Sequence, residues 1–181
     1  MPTFEITELI KGRPEKITSS KEKECYDILD ELHIDYERVE YNYYPETLEE
    51  QLLIDKKIDV PGIKNLVFRT KNKKHFFFII LPRDKMFDEK VFRLKYGVPR
   101  INLATENNLN EILRTHKGAV SIMELAYDKD NLIAVYIDKT LITKKYFRFH
   151  PNENTATVRI KTEDLLNKLM PHLNHELIIM D

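Results

Sequence analysis

Two neighbouring strand-like runs constrain this chain more than any other feature. Residues 65–70 and 75–81 are rich in β-branched, aromatic and other apolar side chains, which favour extended strands. Four polar residues, 71–74, separate the two runs, and a polar connection of that length is typical of a hairpin turn. The sequence therefore predicts a β-hairpin in the middle of the chain.

Capping patterns ahead of the hairpin predict two helices. Ser19 and Thr47 each precede a glutamate by three residues, which is the capping-box pattern of a helix start. The first predicted helix carries an apolar stripe at helical spacing, formed by Cys25, Ile28, Leu29 and Leu32. The second is predicted to run to about residue 57 and to end at a turn over residues 60–62.

More helices and strands are predicted after the hairpin. Asp84 is expected to cap a helix that stops at Gly97. Thr105 and Thr162 are expected to cap two later helices, the last of which ends ahead of Pro171. Further strands are predicted over residues 100–103, 132–137, 146–149 and 155–160. This mixed order of helices and strands indicates the α+β class.

Length and composition limit how the chain is organised. With 181 residues, 42% of them hydrophobic, it can bury one substantial core, so a single domain over residues 1–181 is predicted, with residues 1–19 as a peripheral extension. The longest apolar run is far shorter than a membrane span. Cys25, the one cysteine, cannot form an internal disulfide, which fits a reducing compartment. We expect a cytoplasmic protein without a membrane anchor, either a monomer or a homodimer.

Charge is distributed unevenly along the chain. Residues 1–63 carry eight basic and sixteen acidic side chains, whereas residues 64–100 carry eleven basic and three acidic ones. A basic block of this kind is able to neutralise phosphates of a nucleic acid, and it is equally compatible with a solvated surface. The candidates for tRNA contact are Arg69, Lys71, Lys73, Lys74 and Lys85.

Several common catalytic motifs are absent from the sequence. It contains no glycine-rich phosphate loop, no Gly-x-Ser-x-Gly motif and no paired-cysteine metal site. His172 and His175 have a spacing that a metal could use, but no third ligand is evident, and we expect them to lie in an exposed C-terminal tail. Cys25 lies on a predicted buried stripe, which favours core packing over nucleophilic catalysis. The sequence therefore predicts neither a metal nor a cofactor.

Three short stretches place polar residues where a ligand could be bound. Lys64 and Asn65 begin an apolar strand, residues 118–121 form a loop of small residues, and residues 149–157 contain a histidine and two asparagines. Each stretch also has a purely structural interpretation: a charge at a strand edge, a turn, and the end of a strand. Taken one at a time, they leave the choice open.

In this order, the stretches resemble the YbaK/ProX family of aminoacyl-tRNA editing proteins, relatives of the editing domain inserted in bacterial prolyl-tRNA synthetases. The resemblance covers about residues 20–181. It rests on Lys64-Asn65-Leu66, Leu81-Pro82-x-Asp84-Lys85, Gly118-x-Val120-Ser121 and Phe149-His150-Pro151-x-x-Asn154-x-Ala156-Thr157. The last segment is similar to the ProX branch, which is associated with removal of alanine from proline tRNA. The family resemblance implies a mixed, partly closed β-sheet flanked by helices.

The resemblance also implies roles for individual residues. Lys64, Asn65 and His150 are the expected catalytic residues: Lys64 positions the ester and stabilises its developing charge, and the other two orient the ribose or the α-amino group. The vicinal ribose hydroxyl of the substrate is expected to help activate water. Substrate-binding roles are expected for Gly118, Ala119, Val120, Ser121 and Asn154. The expected partners are mischarged tRNA, in particular proline tRNA, and prolyl-tRNA synthetase.

Some positions depart from the family pattern, and they keep alternatives open. Glu40-Tyr41-Asn42-Tyr43 stands where the family often has Glu-His-Pro-Pro. Ile122 and Glu124 lie where an aromatic residue and a glycine are usual, and Arg148 lies where asparagine is common. One alternative is a module of the same fold that binds tRNA or an amino acid without hydrolysis. Another is a sensor of a free amino acid or nucleotide that regulates transcription, although no helix-turn-helix is evident.

Overall fold

The computed structural model describes residues 3–181, and the strands of this range form two sheets. The strands are β1 Ile10–Lys11, β2 Tyr36–Glu40, β3 Ile63–Thr70, β4 Phe76–Pro82, β5 Ile101–Leu103, β6 Ile133–Asp138, β7 Tyr146–Phe149, β8 Ala156–Lys161 and β9 Leu177–Met180. One sheet is antiparallel, in the order β1-β2-β8-β7. The other has the order β5-β3-β4-β6-β9 and is mixed, because β6 is parallel to both β4 and β9.

Helices connect and cover the two sheets. They are α1 Ser20–Glu31, α2 Leu48–Ile58, α3 Glu89–Tyr96, α4 Glu106–Leu113, α5 Lys139–Ile142, α6 Thr162–Asp164 and α7 Met170–His172. A 3-10 helix, Ile122–Tyr127, follows α4, and a π-helical turn, Leu165–Leu169, joins α6 to α7. The predicted α+β class is confirmed, and the strands divide between two sheets where the resemblance implied one partly closed sheet.

The predicted hairpin is the centre of the larger sheet. β3 and β4 pair in antiparallel register, with Lys64 opposite Leu81. Alternate residues of β4 enter two different apolar clusters: Phe76, Phe78 and Ile80 join the main core between the sheets, and Phe77, Ile79 and Leu81 join the cluster under α3. β4 is therefore buried on both faces, which explains its unbroken apolar run.

Most predicted caps are confirmed. The side chains of Ser19, Thr47 and Thr105 each accept a hydrogen bond from a backbone N–H of the first helical turn, in α1, α2 and α4 respectively. Gly97 ends α3 with a left-handed φ of 65°, as expected for a glycine at this position. Cys25 is fully buried in the main core, as its place on the apolar stripe predicted.

The predicted cap at Asp84 is wrong. Helix α3 begins one turn later, and Asp88 is its cap, with the carboxylate accepting a hydrogen bond from the backbone N–H of Val91 at 2.9 Å. The intervening Phe87 packs against Phe68 and Phe92, with ring centroids 5.0 and 5.4 Å apart. This packing fixes an extended segment before the helix, and the sequence pattern did not reveal it.

The last helical segment also differs from its prediction. Thr162 is not a cap, because its hydroxyl donates instead to the carbonyl of Lys144 at 2.6 Å. Pro171 lies within α7 rather than beyond the helix. His175 is buried, not exposed, and its Nε2 lies 3.0 Å from the Asp128 carboxylate. The C-terminal segment is therefore packed into the domain, and β9 extends the larger sheet.

The sequence pattern did not reveal the strands β1, β2 and β9. Three of the five residues of β2 are charged, which makes its sequence a weak strand signal. The strand is stabilised by a cross-strand ion pair between Glu37 and Arg159 at 2.7 Å. Within the predicted extension, β1 pairs with β2, and Phe4 packs on Tyr41. Met1 and Pro2 lie outside the described residues. Across residues 3–181, no helix combines the length and the apolarity that crossing a bilayer requires.

Candidate active site

A cleft of about 260 Å³ lies where the open end of the β3–β4 hairpin meets the edge of the antiparallel sheet. Helix α2 and the loop before α2 cover one side, and the loop after α4 covers the other. The lining residues are Tyr41, Tyr44, Pro45, Gln51, Ile54, Ile63, Lys64, Asn65, Arg83, Gly118, Val120, Arg148, Phe149, His150, Asn154 and Thr157. The structure thus brings together all three predicted catalytic residues.

The side chain of Asn65 is anchored by one end only. Its Nδ2 donates to the carbonyl oxygen of Val120 at 2.8 Å. Its Oδ1 is buried and has no hydrogen-bond partner within residues 3–181. A buried amide oxygen without a partner is costly and calls for an explanation, such as a ligand. Lys64, the neighbour of Asn65 on β3, is partly buried in the same cleft and forms no ion pair with any described residue.

His150 is held by the same carbonyl oxygen as Asn65. Its Nε2 lies 3.2 Å from the Val120 oxygen, which is only able to accept, so Nε2 carries the proton. Burial lowers the pKa of His150 from 6.5 to about 4, so the ring is neutral at physiological pH. Its Nδ1 is then a bare acceptor, and it too is buried without a partner among the described residues. The cleft therefore presents two free acceptors, Asn65 Oδ1 and His150 Nδ1.

The small-residue loop after α4 forms the wall between these groups and solvent. Gly118 has a φ of 84°, a left-handed conformation that residues with a side chain rarely adopt. Gly118 and Val120 line the cleft, whereas Ala119 and Ser121 do not. Ser121 is fully buried behind the wall, where its hydroxyl donates to the backbone oxygen of His150 at 2.7 Å. Its position therefore favours a structural role rather than contact with a substrate.

Glu124, one of the departures from the family pattern, stabilises this wall from behind. Its buried carboxylate accepts from the Ser121 backbone N–H at 2.9 Å and pairs with Lys21 at 3.1 Å. Burial raises the pKa of Glu124 above its usual value, and the contacts with Ser121 and Lys21 oppose that shift. The glutamate is thus accommodated by a partner on α1 and does not line the cleft.

Two further departures, Arg148 and Tyr41, form the floor of the cleft. Arg148 donates to Asp55 of α2 at 2.5 Å and to the carbonyl of Val60 at 3.1 Å. Burial lowers the pKa of Arg148, and the charge of Asp55 opposes this effect. The hydroxyl of Tyr41 donates to the carbonyl of Ala156 at 3.0 Å. Both side chains are buried and line the cleft.

The five predicted tRNA-contact residues do not lie together. Lys71, Lys73 and Lys74 are exposed in the hairpin turn, at the far end of β3. Thr70 lies six positions after Lys64 on this extended strand, which is about 20 Å. Arg69 is partly buried on β3, and Lys85, near the cleft end of the hairpin, pairs with the buried Asp138. Only the three turn lysines form a free basic cluster.

The structure adds cleft residues that the sequence did not single out. Arg83 occupies the unspecified position of the Leu-Pro-x-Asp-Lys segment, and its Nη2 lies 2.6 Å from Asp55. Tyr44 and Gln51 line the side formed by α2 and its preceding loop. The only sequence signal for Arg83 was its place inside a family segment. No group of three or more potential metal ligands occurs among residues 3–181.

The chain is similar in sequence to known proteins over most of its length. Residues 46–168, which include both anchored acceptors, match a family described as the aminoacyl-tRNA editing domain. The chain is 33% identical over 141 residues to the prolyl-tRNA editing protein ProX of Acetoanaerobium sticklandii, covering 76% of this chain and 83% of that protein. It is 26% identical over 162 residues to prolyl-tRNA synthetase associated domain-containing protein 1 of Danio rerio, covering 87% and 85% respectively.

The same fold occurs in solved structures. A protein described as a proposed trans-editing enzyme for prolyl tRNA synthetase superposes with a TM-score of 0.62. The match covers 90% of this chain and 98% of that one, at 14% sequence identity. At this level of identity, the similarity establishes the arrangement of helices and strands and no more.

Proposed function

Because this chain belongs to the aminoacyl-tRNA editing domain family, we propose that it is a free-standing deacylase that hydrolyses mischarged tRNA, with alanine-charged proline tRNA as its substrate. The related ProX protein is named for prolyl-tRNA editing, which supports proline tRNA as the partner. A single domain over residues 1–181 carries this activity in our proposal. Association with prolyl-tRNA synthetase is part of the same proposal.

One observation carries the proposal. Asn65 and His150 both donate to the carbonyl of Val120, and each leaves one buried acceptor unpaired in the cleft. An α-amino group supplies N–H donors for both acceptors at once. The aminoacyl end of the substrate is thereby oriented with its ester toward Lys64, which lies next to Asn65 on β3.

The chemistry needs no nucleophile from the protein. Water attacks the ester carbonyl and gives up a proton, and a tetrahedral oxyanion forms. Its collapse breaks the bond to the ribose oxygen, which takes up a proton, and the amino acid and free tRNA are released. The ammonium of Lys64 stabilises the negative charge that develops on the carbonyl oxygen. No serine or cysteine is among the described lining residues, and both Ser121 and Cys25 are buried elsewhere. This composition of the cleft supports attack by water on a positioned ester.

The preference for alanine follows from the size of the site. A synthetase pocket shaped for proline rejects smaller amino acids poorly, because missing methylene contacts are worth only about 1–3 kcal/mol. A second, smaller site is needed to remove alanine. In our proposal Tyr41 and Arg148, which line the cleft, contact the side chain of the bound amino acid and set the size of the space it enters. This floor favours alanine over the larger proline ring.

The direct test is deacylation of proline tRNA charged with alanine, with proline or with cysteine. We expect alanine to be released fastest and proline to be released slowly, because the cleft floor excludes the ring. Equal rates for alanine and proline, or a strong preference for cysteine, would contradict the substrate assignment. Tight tRNA binding without hydrolysis of any of the three esters would support the binding module instead.

A further inference from the structure

The cleft carries more positive charge than the proposed ester chemistry uses. Lys64, Arg83 and Arg148 line it, and none of the described lining residues is acidic. Lys64 is assigned to the ester, and Arg148 is buried in the floor against Asp55 and the Val60 carbonyl. Arg83 remains without a role in the reaction. Its side chain is 24% exposed, so it is accessible from the cleft.

Arg83 has hydrogen-bonding capacity to spare. Its guanidinium offers five N–H donors, and within the described residues its side chain makes one hydrogen bond, from Nη2 to Asp55 at 2.6 Å. Asp55 Oδ1 also accepts from Arg148, so one carboxylate is shared between two guanidinium groups. The pair of arginines therefore keeps a net positive charge beside the cleft.

The position of the Arg83 guanidinium is determined by the backbone at Gly62, against which it packs. A Cβ atom added to Gly62 would lie 1.8 Å from Arg83 Nη2, so the side chain occupies the space that the glycine leaves. The backbone N–H of Arg83 donates to the Gly62 carbonyl at 2.9 Å, and the Gly62 N–H donates to Asp55 at 3.3 Å. Gly62 and Asp55 together hold the guanidinium at the cleft rim.

We propose that Arg83 forms an anion subsite that binds the 5′-phosphate of the terminal nucleotide of the aminoacylated tRNA. This inference rests on the proposed function, because that substrate brings a phosphate within one nucleotide of its ester. When the amino acid is alanine, the phosphate is the only anionic group near the ester. A planar guanidinium with free donors suits phosphate oxygens better than a point charge does.

Binding of two small probes tests the subsite without relying on catalysis. Calorimetric titration compares AMP with adenosine on the intact protein, on Arg83→Gln and on Arg100→Gln. Arg100 is the matched control, since it is exposed and makes no side-chain hydrogen bond with a described residue. We expect AMP to bind about 10- to 100-fold more tightly than adenosine, in keeping with charge-assisted hydrogen bonds. This preference is lost in Arg83→Gln and kept in Arg100→Gln.

A second variant separates loss of the subsite from loss of the fold. Gly62→Ala displaces the guanidinium but keeps Arg83 and the Asp55–Arg148 pair, and we expect it to lose the AMP preference while adenosine binding stays the same. Equal affinity of the intact protein for AMP and adenosine would overturn the proposal. Equal weakening of both probes by Arg83→Gln would also overturn it, because the residue would then support the cleft rather than the phosphate.

Hydrolysis of alanyl esters on the ribose of adenosine and of AMP separates this inference from the proposed function. If both esters are cleaved and Arg83→Gln does not change the ratio of their hydrolysis rates, the phosphate subsite is wrong and the deacylase proposal stands. If neither is cleaved but the AMP preference depends on Arg83, the deacylase is wrong and the subsite stands. An Arg83-dependent preference for the aspartyl ester over the alanyl ester of adenosine would assign the guanidinium to the amino acid and overturn the phosphate assignment.

Discussion

The two ends of strand β3 carry lysines in opposite surroundings. At its start, Lys64 is partly buried in a cleft, beside an asparagine anchored to the carbonyl of Val120. Beyond its end, about 20 Å away, Lys71, Lys73 and Lys74 are exposed in the hairpin turn and form no ion pair with a described residue. The same charge is therefore partly removed from water at one end of the strand and fully solvated at the other.

A tRNA hydrolase must both catalyse the reaction and bind tRNA, and this difference assigns one of these functions to each end of β3. A charge in a partly desolvated cleft stabilises a transition state more strongly than the same charge does in water. Free charges in a solvated turn attract a phosphate backbone over some distance and are screened by salt. We expect the first group to act on the rate constant and the second on the affinity.

The largest effect is expected from Lys64→Ala. Removing a preorganised charge of this kind typically lowers the rate by about 10²–10³. The free energy of unfolding should change by less than about 0.5 kcal/mol, because the lysine makes no ion pair with a described residue. Single-turnover deacylation and a thermal melt check both parts. A folded variant with a near-normal rate would move the chemistry to His150.

The next largest effect on the rate is expected from substitution of His150, and the pH dependence of the rate distinguishes its role. The pKa of His150 is lowered to about 4 by burial, so Nδ1 remains an acceptor at pH values well below 6.5. We expect no fall in the rate attributable to this group until the pH approaches 4. His150→Ala should lower the rate by about 10- to 100-fold, through loss of a hydrogen bond to the substrate.

His150→Gln is the matched control for that experiment. Its amide is able to donate to Val120 and to offer an acceptor, but it does not titrate, so we expect most of the rate to return and the decline near pH 4 to disappear. The same pKa shift affects stability: its contribution is fully present above pH 6.5 and is lost as the pH falls toward 4. A decline in activity centred near pH 6.5 would contradict the assignment of His150 as a buried, neutral histidine.

A smaller effect, on affinity alone, is expected at the other end of β3. Charge reversal at Lys71, Lys73 and Lys74 together should weaken tRNA binding. The dependence of log affinity on log salt should become shallower by about 2–3, because each lysine that is lost removes one phosphate contact. Filter binding at several salt concentrations measures this slope. An unchanged slope would show that the hairpin turn is only a solvated surface.

The smallest effect on the rate is expected from substitution of Ser121, which lies behind the cleft wall. Ser121→Ala removes the hydroxyl that donates to the His150 carbonyl and should lower stability by about 1–3 kcal/mol. The rate should stay close to that of the unmodified protein, because Ser121 does not line the cleft. A rate loss as large as that of Lys64→Ala, without loss of fold, would give Ser121 a direct role in the reaction.

Local sequence signals predicted the hairpin and the caps at Ser19, Thr47 and Thr105, and the family resemblance predicted the catalytic residues that the cleft brings together. They failed where tertiary contacts decide the structure. The start of α3 depends on the packing of Phe87, which no capping pattern encodes. Arg83 was missed because its position requires both the space above Gly62 and a partner on α2. The carbonyl of Val120 likewise binds Asn65 and His150, which lie far apart in the sequence.

The most direct test of the contrast between the ends of β3 measures a rate constant and an affinity on the same substrate. Single-turnover deacylation of alanine-charged proline tRNA is followed over a range of protein concentrations for Lys64→Ala and for the triple charge reversal of the turn. We predict that Lys64→Ala lowers the limiting rate by about 10²–10³ at nearly unchanged affinity, whereas the triple variant weakens affinity at an unchanged limiting rate. A lowered affinity with a normal limiting rate for Lys64→Ala would contradict the account, because the cleft lysine would then serve only to bind tRNA.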